Sequence, residues 1–183
     1  MKNHKLLTII SLLVILWITR LVPHVPNFTA ASAIVLFLGV IYGQWKYFIP
    51  ILLGYFACDL WITNFVYNSD SAWFGSLSLA YLYIPYIINF IISKYLHSDH
   101  KISTMGIVRI SLISSVIFFL VSNFGVWMTD ALYPKTISGL LLCYWAAIPF
   151  FAYEFVATLF FSVSLFSIAS VLTSKKTFAF ELQ

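Results

Sequence analysis

Long stretches without a formal charge constrain this chain more than any motif does. No Asp, Glu, Lys or Arg occurs between Arg20 and Lys46, from Ser71 to Ser93, from Ile110 to Thr129, from Thr136 to Tyr153 or from Phe155 to Ser174. With 9% charged and 62% hydrophobic residues, there are too few charges to cover a water-facing surface, which excludes a soluble domain. A helix needs roughly 20 apolar residues to cross a hydrocarbon core of about 30 Å. Backbone groups in lipid must be satisfied internally, and the alternating strand pattern of a membrane barrel is missing, so helices are the remaining solution. The spacing predicts an all-α fold: an integral membrane bundle of six transmembrane helices near 5–22, 27–44, 46–65, 73–95, 106–128 and 149–174. The whole of 1–183 reads as a single transmembrane domain, without internal repeat or linker.

The basic residues give this bundle an orientation. With the N-terminus inside, Lys2, Lys5, Lys46, Lys94, Lys101, Arg109, Lys175 and Lys176 fall on the cytoplasmic face, which leaves Arg20 and Lys135 of the ten on the other. Such a bias in short loops sets topology, so the N- and C-termini are both expected to be cytoplasmic. A pI near 9.1 then needs anionic membrane lipid as a partner and no nucleic acid. Lys2 and Lys5 before an apolar run imitate a signal peptide. Ala31 and Ala33 lie too far beyond that run to mark a cleavage site, so it is kept as the first span. Cys58 and Cys143 are too few and too apolar in setting for a disulfide scaffold.

Counting depth along the helices brings the ionisable groups to one side. At about 1.5 Å per residue, Asp59 lies roughly 20 Å above Lys46, Asn123 about 21 Å above Arg109, Arg20 about 22 Å above Lys5 and Glu154 about 31 Å above Lys175. A charge at such depth costs at least roughly 2.5–3.5 kcal/mol on insertion scales and is seldom left facing lipid. Two arrangements compensate it: internal pairing of Arg20 with Asp59 or Glu154, or a polar pocket opening outward. Asn123, Trp127 and Asp130 share a helical face at i, i+4 and i+7, and Glu154, Thr158 and Ser162 form a second stripe. The candidate binding residues are therefore Arg20, Asp59, Asn123, Trp127, Asp130 and Glu154. In this reading Arg20 meets an anionic group, the acids and Asn123 hold donors, and Trp127 stacks on a flat ring.

Other signals are secondary. Residues 136–148 could lie across the outer mouth as a lid ending at Pro149, or belong to a long last helix kinked there. His24 in the Pro23-to-Asn27 loop reads as a solvated residue. Gly39 and Gly43 form a GxxxG pair that lets another helix approach closely, within the chain or in a partner. The chain has no phosphate-binding G-x-x-x-x-G-K-[ST] loop, no H-E-x-x-H and no G-x-S-x-G. Neither an enzyme nor a cofactor is expected, although Asp59 with Glu154 could serve as an acid pair on a lipid substrate.

The segment from Arg20 to Gly43, the Cys58-Asp59-Leu60 step with Tyr67 following, and SNFGVW, YPKT, GL, CY and AAIPFF between Ser122 and Phe151 resemble an uncharacterised bacterial family of small membrane proteins. That family is similar to the substrate-binding S components of energy-coupling-factor (ECF) vitamin transporters. The resemblance covers about two-thirds of the chain and is most specific from Asn123 to Pro149. It implies an S-component-like bundle in the bacterial cytoplasmic (inner) membrane, with an outward-facing site for a vitamin or similar solute. It also implies an energising transporter module as partner. S components commonly dock through an alanine-rich stretch on their first helix; here Ala30, Ala31 and Ala33 fall on the second. Some solitary relatives of S components take up cobalamin through a cysteine on cobalt, which makes Cys58 or Cys143 the thiol that could do so; otherwise both are small apolar residues. The rival reading is a structural or accessory subunit of a membrane complex that binds no ligand.

Overall fold

The structure, a computed structural model, describes residues 2–66, 77–96 and 103–173. Six helices account for most of these residues: α1 Lys2–Leu21, α2 Ala31–Tyr42, α3 Trp45–Phe65, α4 Leu77–Tyr95, α5 Thr104–Thr129 and α6 Ile137–Thr173. No strand occurs among the described residues. Four stretches, His4–Leu21, Trp45–Phe65, Thr104–Thr129 and Ile137–Val171, are long and apolar enough to cross a membrane. The start of the expected helix 73–95, Tyr67, Lys101, Lys175 and Lys176 lie outside the described residues.

The burial pattern suits a lipid solvent. On α1 the exposed side chains are apolar, with Leu6, Leu7, Ile10, Val14 and Ile18 forming an outward stripe, while Ile9, Leu12 and Leu16 are buried. In water such a stripe would be a liability; against acyl chains it costs nothing. The second helix shows the opposite extreme. All ten residues from Ala31 to Val40 are buried, so α2 is enclosed by its neighbours on every side.

The conformations at its two ends explain why α2 is shorter than the expected 27–44. Asn27 takes a left-handed conformation, φ 63°, inside a loop that Pro23 and Pro26 keep from becoming helical. At the other end Gly43 is also left-handed (φ 56°), and its N–H bonds the Leu38 carbonyl to close the helix. Gly43, itself buried, therefore terminates α2. Gly43→Ala should cost about 1 kcal/mol through the Cβ clash of a left-handed residue, measurable as a lower unfolding midpoint in detergent. Gly39 does serve close approach, and its partner is internal: a Cβ there would meet Ser93 of α4.

Cross-chain contacts fix the direction of each helix. Lys5 Nζ lies 5.7 Å from the Tyr47 ring centre, Trp17 Nε1 donates to the Gly54 carbonyl at 3.0 Å and Arg20 reaches Asp59, so α1 and α3 run parallel. Tyr81 against Gly125 and Asn89, donating to the Ser114 carbonyl at 3.3 Å, make α4 antiparallel to α5, and Ser93 against Gly39 sets the end of α4 beside the end of α2. The alternation gathers Lys5, Lys46, Lys94 and Arg109 at one end of the bundle and Arg20 and Lys135 at the other.

Of the two paths expected for residues 136–148, the long last helix is the one observed. Residues 136–148 do not form a lid, because α6 runs unbroken from Ile137 through Pro149 to Thr173. Its first half is held along α5. Tyr144 donates its hydroxyl to the Leu120 carbonyl at 2.8 Å, and Phe119 packs on Tyr144 and Phe151 with ring centres 5.4 Å from each. These contacts hold the helix across the proline, whose missing N–H removes only one rung of the ladder.

Candidate functional site

Where the helices converge at the Arg20 end, they leave a cavity of about 740 Å³. The end of α3 presents Tyr55, Asp59, Ile62, Thr63 and Val66 to it, a set at i, i+4, i+7, i+8 and i+11 that shares one helical face. Arg20 enters from the last turn of α1, Tyr86 from α4, Phe118 from α5 and Glu154 from α6, while the loop after α1 supplies a rim that includes His24. The rim is exposed and the floor buried: Tyr55, Tyr86, Phe118 and Glu154 are each less than a tenth accessible.

Arg20 is the hub of a polar network. Its guanidinium forms an ion pair with Asp59 Oδ1 and donates to the Tyr55 hydroxyl at 2.5 Å. Its Cζ also lies 4.3 Å from the centre of the Tyr55 ring, within cation–π range. The second Asp59 oxygen accepts from the Tyr83 hydroxyl at 2.7 Å, and Tyr86 donates to the Tyr55 oxygen at 3.3 Å. Both Asp59 oxygens are thereby engaged. Arg20 keeps one buried donor, Nε, without a partner among the described residues. Side-chain accessibility of 19% for Arg20 and 12% for Asp59 shows that the pair borders the cavity without being open to bulk water.

Glu154 is held differently. Ser32 Oγ donates to its Oε1 at 2.5 Å, and Thr158 Oγ1 donates to the same oxygen at 3.1 Å. Among the described residues no cation pairs with it. The structure thus unites Arg20, Asp59 and Glu154 on one cavity wall, with Arg20 already joined to Asp59.

The remaining three candidates lie elsewhere. Asn123 donates to the Phe119 carbonyl of its own helix at 2.8 Å and, with Glu154, lines a separate void of about 10 Å³. Trp127 and Asp130 build the turn between α5 and α6. Trp127 Nε1 donates to the Pro134 carbonyl at 2.9 Å, Asp130 Oδ1 accepts from the Leu132 N–H at 2.9 Å, and the Lys135 ammonium donates to the carbonyls of both residues. Neither borders the large cavity.

Both thiols are buried and free. Cys58 is fully inaccessible, while Cys143 Sγ donates to the Asn123 carbonyl at 3.4 Å, and neither lines the cavity. Among the described residues no three His, Cys, Asp or Glu side chains cluster as metal ligands. Tyr55, Tyr83, Tyr86 and Ser32 escaped the sequence reading. Tyr55 alone had a signal, standing one turn before Asp59 on the same face.

These features define a helical integral membrane protein with a polar cavity at one end of its bundle. Within that class the chain belongs to DUF6580, a family of unknown function, which it matches over residues 1–180. No curated protein and no solved structure matches it.

Proposed function

We propose that the protein captures a small solute in the cavity at the Arg20 end, as an S-component-like subunit of a membrane uptake system. The observation that carries this reading is the cavity itself. Its volume of about 740 Å³ is within the usual range for sites that enclose vitamin-sized ligands, roughly 300–1,000 Å³. It combines an aromatic floor with three ionisable groups that a lipid-filled bundle would otherwise exclude. The clustering of Lys5, Lys46, Lys94 and Arg109 at the opposite end supports a cavity that faces the outer medium, because basic ends stay in the cytoplasm.

A second reading is favoured by the Arg20–Asp59 pair, which ties α1 to α3 and could serve architecture alone. The two readings separate on ligand occupancy. Protein extracted in mild detergent should carry a bound small molecule in native mass spectrometry. Thr63→Trp, which fills the cavity from the partly exposed end of α3, should lose that mass while eluting as a single folded species. Protein with no bound mass, or a mass that survives the Thr63→Trp change, would oppose solute capture.

A further inference from the structure

The ionisable groups of the cavity are not all paired. Arg20 and Asp59 neutralise each other, whereas Glu154, with 3% of its surface accessible, has no cation among the described residues. Both hydrogen bonds to Glu154 fall on Oε1, and Oε2 accepts none from the described residues. A desolvated carboxylate without a counter-charge is among the costliest groups a bilayer interior can hold. Tyr86 and Phe118 line the same cavity, and aromatic faces attract cations.

An anionic solute would find less. The guanidinium of Arg20 is already neutralised by Asp59 and bonded to Tyr55, and the donor it leaves without a partner among the described residues, Nε, is buried. Resting on the solute-capture reading, we infer that the solute carries a cationic nitrogen, which donates N–H to Glu154 Oε2 and lies among the aromatic rings. Its charge completes the pairing that the bundle leaves open, and the Arg20–Asp59 pair stays intact during binding.

A matched set of probes tests the charge separately from binding. Full-length protein in detergent at neutral pH is titrated with tryptamine, indole-3-acetate and indole-3-ethanol, which share a ring system and differ in charge, and apparent Kd is read from titration calorimetry and from the shift of the unfolding midpoint. Tryptamine should bind at least about tenfold more tightly than indole-3-acetate, and sodium alone should not reproduce its shift. Glu154→Gln, which keeps an acceptor for Ser32 and Thr158, should abolish the preference. If that variant does not fold, the selectivity of the unsubstituted protein remains decisive. Equal or tighter binding of the acid or the alcohol, or stabilisation by sodium alone, overturns the cationic solute and leaves solute capture standing. If none of the probes binds, the co-purified molecule decides: a basic nitrogen in it supports the inference, its lack overturns it, and no co-purified molecule at all overturns both readings.

Discussion

Asp59→Ala is expected to destabilise the bundle by about 3 kcal/mol, because deleting one partner of a buried ion pair strands the other charge. Arg20 would lose its only carboxylate among the described residues, and the Tyr83 hydroxyl would lose its acceptor. The value sits at the lower end of the range for buried pairs because the cavity admits some water to both groups. The expected readout is a lower free energy of unfolding in mixed micelles. Replacing both partners, as Arg20→Met with Asp59→Leu, should recover most of that loss, since a buried pair swapped for apolar groups of similar size is often neutral. Recovery of stability without recovery of ligand would separate the architectural part of the pair from its part in the cavity. An Asp59→Ala protein as stable as the unsubstituted one would show that water already shields Arg20.

The contrast between what was legible in the sequence and what was not follows from helix geometry. Charge-free runs locate spans because insertion in lipid penalises each ion by itself, whatever its neighbours. Counting 1.5 Å per residue then gives height, which is why Arg20, Asp59 and Glu154 could be placed towards one side of the bundle. Height says nothing of rotation about the helix axis. Asn123, Trp127 and Asp130 share a face, yet that face meets the start of α6 and its turn, as the bonds to Pro134 and from Lys135 show. Ser32 and Glu154 meet across 122 positions, a pairing no local pattern records. The choice between a lid and a long last helix stayed open for another reason. Pro149 weighs against a continuous helix locally, and only the packing of Tyr144 and Phe151 on Phe119 outweighs it.

Gly39→Leu should have the larger effect of all, because it strikes where backbones come closest. Even the first carbon of a side chain at this position would sit 1.7 Å from Ser93 Oγ, 2.6 Å from Ser93 Cβ and 3.1 Å from the Lys94 backbone nitrogen. Rotating Ser93 would remove the first clash but not the others, so α4 must move away from α2. Overpacking of a well-filled core typically costs 1–3 kcal/mol, and a leucine, with three further carbons to place, should exceed that and eliminate the monodisperse species in fluorescence-detected gel filtration. Gly54 offers the control. A Cβ there would meet Leu13 Cδ2 at 2.3 Å, the free end of a flexible side chain that can turn aside, so Gly54→Ala should remain folded. Gly39→Ala should fall between the two, and Ser93→Gly in the same chain should relieve it by removing both side-chain atoms in conflict. A folded Gly39→Leu protein would mean that α2 and α4 stand farther apart than the Ser93 contact indicates, and that this face is free to meet a partner in the membrane.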